Sequence, residues 1–120
     1  MPTPMTLKRI DHETVVASFR KVGMRPIRRD YIAKDRKGCC AMTAVAINLL
    51  KPRGFTMDRY NVGLVARQNL GVSDRYFSGF ITGWDGDDVF HETKSIEFNK
   101  GVSDGRTAWQ ACYDDGLIGE

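Results

Sequence analysis

The sequence predicts a mainly α-helical domain of about five helices around a buried central helix, Cys39 to Leu50. Three observations predict this fold: the central segment is apolar almost all round, other segments carry apolar residues at helical spacing, and capping residues stand at their ends. The chain of 120 residues, 42% hydrophobic and 28% charged, is long enough to bury one core. We therefore expect a single domain over residues 1–120, with a flexible N-terminal tail at 1–9. A small β-hairpin is compatible with this fold, and an α+β fold is the alternative.

The first two helices are marked at their ends. In the first, Asp11 can accept hydrogen bonds from free amides of the first turn, and Gly23 can take the left-handed conformation that ends a helix. The second, Cys39 to Leu50, is rich in alanine, which predicts that neighbouring elements pack closely against it. It is expected to end before Lys51 and Pro52, because proline does not continue a helix.

The third and fourth helices are predicted to follow each other almost directly. We expect the third to run from Thr56 to Gly71 and the fourth to begin after Ser73, a favourable capping residue. The fourth has the strongest amphipathic pattern of the chain, with apolar residues at positions i, i+3, i+4 and i+7. These residues and one tryptophan of the last helix should pack on the central helix: Phe77, Phe80, Ile81, Trp84 and Trp109.

The last helix is expected to begin at Ser103 or Asp104 and to end at Gly116. Between the helices lie two further segments, residues 24–38 and residues 85–101. The first ends in a turn-like sequence and predicts a small hairpin, whereas the second fits an extended strand or a helical turn. If the second segment is extended, one of its faces carries Phe90, Ile96 and Phe98.

Positive and negative charges are divided between the two halves of the chain. Residues 1–60 contain 13 lysines and arginines against 5 aspartates and glutamates, whereas residues 61–120 contain 5 against 10. A dense basic cluster of this kind can bind the phosphate backbone of a nucleic acid. The residues expected to contact a nucleic acid are Arg25, Arg28, Arg29, Lys34, Arg36, Lys37 and Arg75.

The same basic residues have a second interpretation. They can be solvated, or they can face the acidic run Asp85, Asp87 and Asp88, either within one molecule or in a second subunit. The second interpretation predicts a protein partner, or self-association through the basic and acidic faces.

From Ala66 to Gly83 the sequence resembles the two-helix unit of helix-turn-helix repressors. The resemblance implies that Gly71 is the turn glycine and that Ser73 caps the recognition helix. The sequence departs from that family at Arg67, where a small residue is usual, and by the acidic run that follows the second helix. Two ordinary helices joined by a glycine cap are the alternative. The residues that the resemblance places towards the major groove are Arg75, Ser78 and Thr82.

Two adjacent cysteines stand at the predicted start of the central helix. Amide dipoles at a helix N-terminus lower the pKa of a thiol, so Cys39 or Cys40 is a candidate nucleophile. His91 and Asn99 follow in the chain order of a thiol hydrolase, as base and as orienter of the base. The alternative is that both cysteines are small core residues.

The sequence does not predict a membrane span, a signal peptide, a metal site or a nucleotide site. The run from Cys39 to Leu50 is too short to cross a bilayer, and no basic head with an apolar stretch marks a signal peptide. Three cysteines, two of them adjacent, indicate free thiols, so we expect a cytoplasmic protein without membrane contact. No pair of cysteines or histidines has metal-ligand spacing, and no glycine-rich phosphate cradle follows a strand. We expect neither a metal nor a cofactor.

These observations favour a non-enzymatic binding or protein-interaction module. A nucleic-acid-binding protein that uses residues 20–37 and the unit at 66–83 is the alternative, and a thiol-dependent hydrolase is a third hypothesis.

Overall fold

Helices form most of the structure, a computed structural model in which residues 4–56, 61–88 and 95–118 are described. Within these ranges a two-residue strand pair and a 3-10 turn complete the regular elements, which confirms the mainly α fold with a small sheet. The helices are α1 (His12–Val22), α2 (Ala41–Leu50), α3 (Val62–Asn69), α4 (Asp74–Trp84) and α5 (Ile96–Asp114), the strands are β1 (Arg25–Pro26) and β2 (Gly38–Cys39), and the 3-10 turn is Lys51–Arg53.

The predicted caps of α1 and α4 are confirmed. The Asp11 carboxylate accepts a hydrogen bond from the Thr14 amide, and Gly23, with φ 76°, donates its amide to the carbonyl of Phe19. The Ser73 hydroxyl accepts from the Tyr76 amide at the start of α4. These contacts are local in sequence, which is why residue type alone predicted them.

Helix α2 lies in the core, as expected, with residues 41–46 and Leu50 buried. It begins at Ala41 and not at Cys39, because the Cys39 carbonyl accepts from the Ile27 amide and the Cys40 amide donates to the Tyr31 carbonyl. Helix α2 contacts both α1 and α3.

The predicted hairpin is present at residues 31–40. Ile32 and Cys39 form an antiparallel bridge, and the Ala33 amide donates to the Gly38 carbonyl across the turn. Strand β1 then pairs with β2 in parallel, with Arg25 opposite Gly38. The small sheet therefore ties the chain after α1 to the start of α2.

The N-terminal segment that was expected to be a flexible tail makes specific contacts over residues 4–9. The Met5 amide donates to the Asn69 carbonyl at 2.7 Å, and the Leu7 amide donates to the Leu70 carbonyl at 3.1 Å. Arg9 forms an ion pair with Asp104. The segment thus lies against the end of α3 and reaches α5.

The expected starts of two helices need correction. Helix α5 is capped by Ser95 and begins at Ile96, so the predicted start at Ser103 or Asp104 is wrong, and the strand alternative is wrong for 96–98. Thr56 is not helical, and the described part of α3 begins at Val62. The pattern at Phe90 falls on residues 89–94, which lie outside the described residues, as do residues 57–60.

Helices α4 and α5 approach each other through four glycines, which we call the glycine contact. A Cβ atom on Gly79 would lie 2.1 Å from the Phe98 carbonyl oxygen, and one on Gly105 would lie 2.1 Å from the Phe80 carbonyl oxygen. Such distances are far below van der Waals contact, so only glycine allows this spacing of the two backbones. The glycine contact consists of Gly79, Gly83, Gly101 and Gly105.

Candidate functional site

A pocket of about 80 Å³ opens beside the N-terminal end of α2, and we call it the α2 pocket. Side chains from the hairpin, α2 and α4 meet there, so elements distant in sequence build one concavity. Its walls are apolar and aromatic, and its rim carries charge. The lining residues are Arg29, Asp30, Tyr31, Cys40, Ala41, Met42, Phe80, Ile81, Trp84 and Asp85.

Arg29 lies on one side of the rim, and its backbone has an unusual conformation. Its φ of 73° is in the left-handed region, which costs a non-glycine residue roughly 1 kcal/mol. The Asp85 carboxylate offsets this cost by accepting from the Arg29 amide at 2.8 Å, and Asp87 lies 3.3 Å from the guanidinium. Strained backbone of this kind often occurs where a protein positions groups for binding.

The rigid wall behind the α2 pocket is an aromatic cluster fixed by Arg28. The Trp84 indole N–H donates to the Ile27 carbonyl at 2.7 Å, and the Arg28 Nε donates to the Trp84 carbonyl at 2.7 Å. The Arg28 guanidinium also lies 3.9 Å from the centre of the Trp109 ring, which itself meets Trp84 edge-on. Burial lowers the pKa of Arg28, but an arginine stays charged, so this contact is a cation–π interaction.

Tyr31 continues the α2 pocket into an exposed apolar surface. Its ring packs on Gly63, where a Cβ atom would lie 2.5 Å from the Tyr31 Cζ. Burial raises the pKa of the Tyr31 phenol. The next residue of α3, Leu64, is 47% exposed, and Tyr31 is 39% exposed. The lining of the pocket therefore includes one partly exposed aromatic side chain, Tyr31.

The two adjacent thiols are buried. Burial raises the pKa of Cys39 and of Cys40, so the lowered pKa expected at the helix N-terminus is wrong. Desolvation of the thiolate outweighs the helix dipole here. Cys40 caps α2, and its Sγ lies 3.5 Å from the Thr43 hydroxyl.

The proposed base of the thiol hydrolase, His91, lies outside the described residues. Asn99 is exposed in the first turn of α5. The Cys–His–Asn arrangement therefore stays a prediction, without support from the thiol pKa values.

We expect both thiols, with Cys112, to be protected from alkylation in the folded protein. All three are free and buried, and burial also raises the pKa of Cys112, to about 12. Iodoacetamide at pH 8 should modify them at least tenfold more slowly than a free thiol, because little thiolate is present and access is blocked. Mass spectrometry with and without urea measures this difference. Rapid modification of Cys40 without urea would contradict the prediction and return the nucleophile to consideration.

The predicted nucleic-acid-binding residues are separated by the fold into paired and unpaired groups. Arg25 is paired with Asp35 at 3.1 Å, Arg29 contacts Asp87, and Arg28 is held by the tryptophans. The interpretation that basic residues face the acidic run within one molecule is therefore correct for Arg29. Along the described ranges no ion pair involves the remaining members, the exposed residues Lys34, Arg36, Lys37 and Arg75.

The segment that resembles a helix-turn-helix unit does form two successive helices, α3 and α4. Gly71, the expected turn glycine, has φ 82°. Arg75 and Ser78 are exposed on α4, and Thr82 is half-buried. Gly79, the next position along this face, is buried under α5 at the Phe98 carbonyl. Helix α5 thus lies directly beside the face that would have to enter the major groove.

The part of the chain that the structure describes contains neither a candidate metal site nor a candidate membrane-spanning helix. There, no three histidine, cysteine, aspartate or glutamate side chains are grouped closely enough to hold a metal ion. Nor does any helix in these ranges combine the length and apolarity that crossing a bilayer requires.

Comparison with known proteins gives no independent assignment: the chain matches no protein-family model, no curated protein and no solved structure.

Proposed function

We propose that the protein is a non-enzymatic binding module whose α2 pocket receives an apolar side chain of a protein partner. The observation that carries this proposal is the pocket itself, with its apolar walls and strained rim. Apolar concavities with a few convergent polar groups are where proteins commonly bind other molecules.

The size and surroundings of the α2 pocket indicate the kind of occupant. Its volume of about 80 Å³ is roughly half that of an engineered cavity that takes benzene, and it is far larger than one water requires. An aliphatic side chain fits this size better than a nucleotide does. The exposed part of Tyr31 extends the apolar area that a partner would cover.

Self-association through opposite charges, the other form of this hypothesis, is less well supported. Arg20 is paired with Asp115, Arg29 with Asp87, and Arg25 with Asp35, so these charges already have partners within one molecule. The three free cysteines are in keeping with a reducing compartment, and we extend the proposal to a cytoplasmic location on that basis.

The pocket is tested with N-acetyl-leucinamide as a probe of an apolar side chain, and with N-acetyl-glycinamide as its control. We expect saturable ¹H–¹⁵N shifts at Tyr31, Ile81 and Asp85 with a dissociation constant on the order of millimolar, because one side chain buries little area. The glycine probe should give no saturable shift.

A matched pair of variants shows whether the probe occupies this pocket. Ile81→Trp places a larger side chain in the α2 pocket, whereas Val16→Trp enlarges a half-buried residue of α1 that does not line it. Binding should be lost in the first variant and kept in the second. Equal binding by both variants, or no saturable shift in the unaltered protein, would refute the proposal.

A further inference from the structure

Three cations project from the turn of the hairpin, and we call them the basic tip: Lys34, Arg36 and Lys37. All three are exposed, and none has an ion-pair partner among the residues described. The acid within this turn, Asp35, is already engaged, because its carboxylate accepts from the Lys37 amide at 2.9 Å and from Arg25 at 3.1 Å. Arg25 therefore balances the charge of Asp35, and the three cations of the basic tip are exposed to solvent.

The backbone that carries the basic tip is fixed by hydrogen bonds. The Arg36 amide donates to the Ala33 carbonyl at 2.9 Å, and Arg36 takes the left-handed conformation with φ 59°. On the other side, the Arg25 amide donates to the Lys37 carbonyl at 2.9 Å, which ties the turn to β1. The three cations are thus presented together from a folded turn and not from a disordered arm.

We propose that the basic tip binds the phosphate backbone of nucleic acid without reading the bases. Lysine and arginine side chains without protein partners are the groups that replace counterions on phosphates. Stacking of bases on the hairpin is not expected, because its aromatic side chain, Tyr31, packs on Gly63 and lines the α2 pocket. This surface is narrower than the one predicted from the sequence, since Arg25, Arg28 and Arg29 are engaged within the fold. It is also independent of the α2 pocket.

The number of cations fixes the expected salt dependence. Three phosphate contacts on duplex DNA predict that the logarithm of the association constant falls with the logarithm of salt concentration with a slope of about −2.7. Fluorescence anisotropy of a labelled 20-base-pair duplex, titrated with the full chain between roughly 20 and 200 mM salt, measures this slope. A second duplex of unrelated sequence should bind with the same affinity within a factor of about three.

Two triple variants with the same net charge show whether binding depends on the basic tip or on the overall charge of the protein. Lys34→Gln, Arg36→Gln and Lys37→Gln together should weaken binding at least tenfold at low salt and flatten the slope. The control combines Lys8→Gln, Lys51→Gln and Arg106→Gln, three exposed cations outside the basic tip, and should bind within a factor of about three of the unaltered protein.

Three results would overturn the proposal: no binding by the unaltered protein at 20 mM salt, equal losses in both triple variants, or a tenfold preference between the two duplexes. Competition with poly-glutamate provides a further check, because it carries the same charge without phosphates. If it displaced the duplex as effectively as unlabelled duplex does at equal charge concentration, the basic tip would bind polyanions without selecting phosphate, and this result too would overturn the proposal.

Discussion

Replacing Gly105 by alanine should destabilise the protein by about 2–3 kcal/mol, in the range known for overpacked contacts. Helix propensity alone predicts the opposite, since alanine is favoured over glycine in a helix by roughly 1 kcal/mol. The reason for the reversal is contact between backbones. A Cβ atom at this position would lie 2.1 Å from the Phe80 carbonyl oxygen and 2.7 Å from the Trp84 amide nitrogen. Because both atoms belong to α4, the two helices would have to move apart. Urea unfolding followed by circular dichroism measures the change.

The sign of the effect makes this prediction easy to contradict. Ser103→Ala, at an exposed position of the same helix, is the control and should change stability by no more than about 0.5 kcal/mol. Gly83→Ala should behave as Gly105→Ala does, because its Cβ would lie 2.1 Å from the Val102 carbonyl oxygen. A Gly105→Ala protein as stable as the unaltered one would show that α4 and α5 do not approach each other at this point.

Features that depend on neighbours in sequence were predictable. The caps at Asp11, Gly23 and Ser73 and the apolar spacing of α4 each involve residues within one or two helical turns. Local hydrogen bonding and periodicity determine such features, so one sequence is sufficient to predict them. The turn of the hairpin was predictable for the same reason.

Features that depend on contacts between distant residues were missed. The spacing of Gly79 with Gly83, and of Gly101 with Gly105, was present in the sequence, but its role in packing α4 against α5 was not predicted. The start of α5 was also predicted too late in the chain. Only the approach of another backbone shows whether such a glycine ends a helix or allows two helices to pack closely. Arg28 was predicted to contact a nucleic acid for the same reason: its partner in the structure, Trp109, lies far from it in the sequence.

The α2 pocket was missed for a related reason. Its residues come from three separate segments, and no motif joins them in sequence. Cys40 was singled out for its position at a helix start, which was correct to within a residue, but burial reverses the expected effect on its pKa. The left-handed conformation of Arg29 has no sequence signal, since arginine does not favour it.

A buried polar cluster joins the N-terminal segment to α4 and α5. The Asp104 carboxylate accepts two hydrogen bonds from Arg9, at 2.6 and 3.0 Å, and one from the Tyr76 hydroxyl at 2.5 Å. The same hydroxyl accepts from the Ile10 amide at 2.7 Å. Asp104 is 8% exposed, so its charge depends on these donors. Burial works to raise the pKa of Asp104, but the bonds from Arg9 and Tyr76 outweigh it and hold that pKa below its usual range.

Asp104→Asn should therefore cost about 2 kcal/mol of stability near neutral pH, because a neutral amide weakens the charge-assisted hydrogen bonds that the buried carboxylate accepts from Arg9 and Tyr76. The cost should depend on pH with a definite sign. Because the pKa of Asp104 is lower in the folded protein than in the unfolded chain, its contribution is complete above about pH 4.5 and is lost as the pH falls through the folded pKa. Urea unfolding of both proteins at several values between pH 6 and pH 3 measures the difference.

The difference between the two proteins should accordingly shrink as the pH falls towards 3, because the unfolded chain then binds a proton at Asp104 more readily than the folded protein does. Asp115→Asn is the matched control, since Asp115 pairs with Arg20 on the surface, and an exposed pair contributes at most about 1 kcal/mol. A gap between the Asp104→Asn and unaltered proteins that stayed constant from pH 6 to pH 3 would show that the charge is not what stabilises the cluster. Convergence in acid would instead establish that the ionised carboxylate of Asp104 stabilises the folded protein.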